Sequence, residues 1–106
     1  MIRGTTPTFK LLINDQSVDL TSASYVYATF KQLGGETITK TGADLTVTAQ
    51  EVDVYLDQAE TLKFAKGVID VQLNWVYSND ARACTSIVRI GVGENLLPRV
   101  LPPQGA

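Results

Sequence analysis

No histidine occurs anywhere in the chain. Its absence excludes Ser-His-Asp and Cys-His nucleophile activation, His-ligated zinc and an imidazole pH switch. Cys84 is the single cysteine, so there is no intrachain disulfide and no Cys…Trp…Cys signature of antibody domains, and a reducing compartment fits. In an apparent strand, with no imidazole to activate it, Cys84 reads as a small buried hydrophobe and not as a reactive thiol. Apolar runs last only a few residues, far short of the roughly 18 that suggest a membrane span. At the amino end Arg3 has no apolar stretch behind it, so no secretory signal is expected. Neither sign of charge dominates: 9 Lys+Arg against 11 Asp+Glu give a net −2, which excludes a polycation and an acidic disordered tail.

What is present is enough for one core. The chain has 106 residues, 44% of them apolar; a single domain of this size buries on the order of 65% of its unfolded surface without disulfides or structural metal.

Alternation with a period of two dominates the pattern. Phe9, Leu11 and Ile13 alternate with Thr8, Lys10 and Leu12, a first strand ending at Asn14-Asp15-Gln16, and residues 17–20 read as a short second strand. Over 25–33, Val26, Ala28 and Phe30 share one face and Tyr25, Tyr27, Thr29 and Lys31 the other. Gly34-Gly35 then suits a two-residue type I′ hairpin turn into a strand over 36–40. Further strands are expected over 45–48 and 52–56, with Leu45, Val47, Val52, Val54 and Leu56 inward. The pattern breaks once, at 57–63, where Asp57 and Glu60 have capping-box spacing on one short helical turn. Leu62 and Phe64 would plug one end of the core.

Two long strands follow, over 68–77 and 82–92. Ile69, Val71, Leu73, Trp75 and Tyr77 form the core face of the first; Cys84, Ser86, Val88, Ile90 and Val92 share a face of the second, opposite Ile87 and Arg89. The expected architecture is an all-β, single-domain antiparallel immunoglobulin-like β-sandwich of about seven strands, with a small barrel as the alternative. It occupies residues 1–95.

Residues 96–106 differ. Three prolines bar central-strand pairing and helix, so an extended tail is expected. It carries Leu96, Leu97, Val100 and Leu101, with Arg99 among them. Two readings of this strip are open: it covers the domain's own sheet edge, or it docks on a neighbouring copy or partner.

Chemistry-bearing constellations are weak. Gly91-Val92-Gly93 lacks a third glycine for a dinucleotide fingerprint. Glu51, Asp53 and Asp57 read as a solvated face, with no calcium loop or glycosidase pair around them. Tyr25, Tyr27 and Lys31 share a face, but an acidic chain repels phosphate, so nucleic acid is not expected as a partner. No enzyme activity, cofactor or metal is expected.

Several stretches together resemble small proteins encoded by phages and prophages of Gram-positive bacteria. These are the opening Met1-Ile2-Arg3-Gly4-Thr5-Thr6-Pro7-Thr8, then Val54-Tyr55-Leu56-Asp57-Gln58-Ala59-Glu60-Thr61-Leu62-Lys63-Phe64, residues 67–77 and 82–92, and Asn95-Leu96-Leu97. The closing hairpin is similar to the N-terminal immunoglobulin-like domain of phage baseplate upper proteins, although Asn79-Asp80-Ala81 stands where an Asp-Gly turn is expected. The resemblance implies a non-enzymatic tail or baseplate assembly component. It would be located in the virion or in the host cytoplasm during assembly, with copies of itself or other phage structural proteins as partners. No helical stalk or receptor-binding module accompanies it in this chain, so an accessory or assembly role is expected. The interaction residues expected are Leu96, Leu97, Arg99, Val100, Leu101, Tyr25 and Tyr27. A different class, a carbohydrate or bacterial-surface binding module, would use Tyr25, Tyr27 and Tyr55 as aromatic platforms.

Overall fold

The computed structural model describes residues 1–102; the expected tail residues 103–106 lie outside the described residues. Strands β1 (Thr8–Leu12), β2 (Ala23–Lys31), β3 (Thr37–Thr41), β4 (Leu45–Val47) and β5 (Glu51–Tyr55) precede a short helix, α1 (Gln58–Leu62). Strands β6 (Gly67–Tyr77), β7 (Arg82–Cys84) and β8 (Val88–Val92) follow it. They form two antiparallel sheets: one in the order β1-β5-β4, the other β3-β2-β6, with β7 and β8 both on the far edge of β6. This is the expected all-β sandwich, and its own pairing places β2 between β3 and β6.

The core follows the sequence alternation. Val26, Ala28 and Phe30 of β2 and Ile69, Val71, Leu73 and Trp75 of β6 are buried against Leu45, Val52, Val54 and Leu56 of the facing sheet. Each large aliphatic or aromatic side chain removed from water in this way contributes about 1.5–3 kcal/mol. Phe64, which follows α1, is fully buried and closes one end, whereas Leu62 is half-buried.

Four local expectations are corrected. Residues 17–20 form no strand. Asp15 accepts from the Ser17 N–H and hydroxyl, and Asp19 from the Thr21 N–H and hydroxyl; these local bonds offer the backbone a turn and a 3₁₀ segment, Leu20–Ser22, in place of a ladder. The hairpin after β2 forms, but not as a two-residue type I′ turn. Gln32 donates to the Glu36 carbonyl and lengthens the ladder, Gly35 donates back to Gln32, and only Gly34 takes a positive φ.

The expected strand 82–92 is broken into β7 and β8. Trp75 pairs with Ala83 and Ile69 with Ile90, six residues on β6 against seven on its partner, so one surplus residue is absorbed between Cys84 and Val88. Thr85 seals the break. Its N–H donates to the Leu73 carbonyl at 3.0 Å, its hydroxyl accepts from the Leu73 N–H at 3.1 Å, and its carbonyl accepts from the Gln72 side chain at 2.8 Å. The surplus reverses the alternation, so Ala83 and Ile90 pack on the core while Cys84, expected to be buried, is exposed.

Candidate functional site

The amino-terminal segment is built into the body. The Ile2 and Gly93 backbones form a parallel bridge, Arg3 donates its N–H to the Gly93 carbonyl, and Gly93 donates to the Met1 carbonyl at 2.7 Å. The Arg3 guanidinium reaches the Phe64 carbonyl, the Leu62 carbonyl at 3.1 Å and the Glu94 carboxylate at 2.8 Å. It thereby satisfies carbonyls at the end of α1 that lack intrahelical partners. Glu94 is held below the usual carboxylate range, first by the hydrogen bond from Arg3 and then by the Asn95 N–H. Beneath Arg3, the buried Thr61 hydroxyl accepts from the Gly4 N–H at 2.9 Å and donates to the Thr5 carbonyl at 2.8 Å. Sequence reasoning found the capping box of α1 but not this clasp. No periodic signal links Arg3 to partners about sixty and ninety positions away.

The capping box is as expected: Asp57 accepts from the Glu60 N–H at 2.8 Å and Glu60 Oε1 from the Asp57 N–H at 3.0 Å. Glu60 does more, because its Oε2 lies 2.6 Å from Lys40 Nζ, a half-buried pair. Lys40 pairs with core-facing Ala28, so an inward charge occupies the edge strand β3 and α1 covers it. Asp53 pairs with Lys10 at 3.7 Å, which separates it in role from Asp57. No group of three or more His, Cys, Asp or Glu capable of holding a metal occurs among the described residues.

The expected interaction residues fall into two places. Leu96 is wholly exposed, and Leu97, Arg99, Val100 and Leu101 are also exposed. The reading in which these aliphatics cover the domain's own sheet edge is thus not realised. The tail touches the body through a bond from the Leu101 N–H to Gln58 Oε1 of α1, at 3.0 Å.

Tyr25 and Tyr27 lie on the outer face of β2, ring centroids 6.5 Å apart and stacked, with Tyr25 60% exposed and Tyr27 half-buried. Tyr25 borders a hollow of about 340 Å³ with Leu20, Thr41 and Leu45. The other end of β2 continues into Gln32, whose side chain exchanges two 2.8 Å bonds with Ala65 just after α1. The tyrosine pair is thus carried by β2, whereas the tail is bonded to α1. Tyr55, on β5 of the other sheet, joins neither.

A third feature was not anticipated. Where β1 faces the broken β7–β8 edge, the two sheets leave a groove of about 200 Å³ lined by Leu11, Leu12, Leu73 and Val88, with Lys10 and Gln72 also on its wall. Leu12 is 68% and Val88 54% exposed. A wider depression of about 850 Å³ beside the β2–β3 hairpin mixes Lys63, Lys66 and Arg89 with Glu36 and Asp70, and Arg89 is spent on Asp70 at 3.3 Å. Among the described residues, no helix is long and apolar enough to cross a membrane. The chain matches no family model, and neither the curated proteins nor the solved structures give a match.

Proposed function

We propose that this chain is a non-enzymatic structural module of a phage or prophage particle, a tail or baseplate assembly component that acts through repeated copies. The observation that carries this reading is the tail: four aliphatic side chains exposed beside a body whose own core is closed by Phe64 and the Arg3 clasp. Leaving such a strip in water gains nothing for the domain, whereas a contact surface uses it. The resemblance of the opening residues, the α1 region and the closing hairpin to phage and prophage proteins supplies the setting. Its partners are then copies of itself or neighbouring particle proteins, in the virion or in the host cytoplasm during assembly.

Size-exclusion chromatography with light scattering, on the full chain and on a chain lacking 96–106, tests the reading. The truncated chain should stay folded, because among the described residues the tail's hydrogen bond to the body is that from Leu101 to Gln58, and should lose self-association. An oligomeric state unchanged by the deletion would count against the tail as a contact.

One observation favours a second reading, a carbohydrate or bacterial-surface ligand held on the aromatic face: the Tyr25–Tyr27 stack borders a hollow and offers an apolar platform with polar tips. Glycan-array binding that disappears in Tyr25→Ala would support it.

A further inference from the structure

The unpaired edge of β1 and the tail fit one another as two strands of a ladder. Ile13 donates to the Gln50 carbonyl and Pro7 accepts from Leu56. Backbone groups along an antiparallel strand alternate in direction. The odd-numbered residues of β1 therefore point to β5, and the N–H and C=O groups of Thr8, Lys10 and Leu12 point to the open side. Every other long edge is blunted. The inward Lys40 guards β3, the surplus residue divides β7 from β8, and Met1 to Arg3 cover the end of β8. β4 is three residues long. These are among the usual protections of sheet edges; β1 has the exposed Lys10 at its centre and Pro7 before it, but no bulge, covering segment or inward charge.

The tail supplies a matching row. Drawn out into a strand, Leu97, Arg99 and Leu101 present their N–H and C=O groups to one side; in the free chain those N–H groups go to Asn95 Oδ1, the Leu97 carbonyl and Gln58 Oε1, bonds that docking exchanges for ladder bonds. Pro98 and Pro102 fall on the opposite side, where a missing N–H costs nothing and prevents a further strand from adding. Paired residues project from the same face of a sheet, so Leu97, Arg99 and Leu101 would lie outward beside Thr8, Lys10 and Leu12. Leu96, Pro98 and Val100, an unbroken apolar row, would enter the groove formed by Leu11, Leu73 and Val88. Setting Arg99 directly opposite Lys10 would place like charges side by side, which selects a register shifted by two, in which two of the three tail residues face two of the three in β1. The tail's own copy holds it on Gln58.

Resting on the reading of a module that acts through repeated copies, we infer that β1 is a strand-acceptor edge whose occupant is the tail of a second copy, residues 96–101, filling the groove between the sheets.

The test is a titration of the isotope-labelled full chain with a synthetic peptide of residues 95–102, followed by amide NMR, beside the same peptide N-methylated at Arg99. The unmodified peptide should shift the amides of Thr8, Lys10 and Leu12 and the methyls of Leu11 and Val88. The methylated one, lacking one ladder donor, should bind about tenfold more weakly. Equal binding of the two peptides, or shifts confined to the Tyr25 face, would overturn the inference. If the full chain associates through its tail while the β1 amides stay unmoved by the peptide, this assignment fails and the reading above survives. A full chain that remains monomeric at every concentration removes both.

Discussion

Asp80 is the one residue other than glycine with a positive φ among the described residues, at 67°, in the turn joining β6 to β7. The Ser78-Asn79-Asp80-Ala81 sequence holds it there: Asp80 donates to the Tyr77 carbonyl, Tyr77 to the Ala81 carbonyl, and Ala81 to the Asn79 side chain. The turn is therefore the hairpin expected from the pattern, made without the glycine that its geometry favours. A left-handed backbone costs a residue with a Cβ roughly 1–2 kcal/mol, partly relieved for Asp. Asp80→Gly should stabilise the fold by about 0.5–1 kcal/mol, read as a higher urea midpoint at unchanged slope.

Arg3 belongs to the opposite category, because its loss leaves carbonyls of Leu62 and Phe64 without their partner. Arg3→Ala should cost about 1.5–3 kcal/mol, the range for hydrogen bonds to a charged group. The cost should be pH-dependent. The folded Glu94 carboxyl titrates below its ordinary value, so its contribution is complete above the unfolded glutamate pKa of about 4.3 and fades as pH falls through the lower folded value. Urea titrations in acid should show the gap between parent and Arg3→Ala narrowing there, with the part due to the two carbonyls remaining.

Helix α1 spans five residues, too few to persist alone. Its stability comes from Glu60, which closes the capping box with one carboxylate oxygen and holds Lys40 with the other. Glu60→Ala should cost about 1–3 kcal/mol in chemical denaturation, for the lost cap and the half-buried Lys40 left unpaired. Glu60→Gln, which keeps the cap acceptor, should recover part of that.

The strands were legible to the extent that their period was uninterrupted. The alternation of Val26, Ala28 and Phe30, of Val52, Val54 and Leu56, and of Ile69 to Trp75 predicts the buried faces that form. It failed at Cys84, because a surplus residue reverses the parity of everything before it and nothing in Ala83-Cys84-Thr85-Ser86-Ile87 announces the reversal. It failed at 17–20, where Asp15 and Asp19 had more to gain from nearby amides than a strand offered. The Arg3 clasp and the β1 groove arise from chain crossings, so no local reading reaches them. The tail was legible as apolar and free of helix, but the extended path expected from its prolines is interrupted by a turn in which Arg99 donates to the Leu97 carbonyl, and its bond to α1 through Leu101 had no local signal.

Taken together, the sheets predict a gradient of opening. Strand β6 is the longest and carries three neighbours, β2, β7 and β8, so its central amides can exchange only when the sandwich opens as a whole. Hydrogen exchange on a dilute sample should find Val71, Leu73 and Trp75 among the slowest. Residues 96–101 and the outward amides of Thr8, Lys10 and Leu12 should be among the fastest. Concentrating the sample should slow the last two groups together if copies engage through them, and leave them independent if they do not.

The break between β7 and β8 has a consequence for how the chain zips. Two short partners dock on β6 from separate starting points, one beside the Asp80 turn and one anchored by Met1 to Arg3. A slip made while closing either half stops at Thr85 and is not transmitted to the other, so each can be annealed without melting its neighbour.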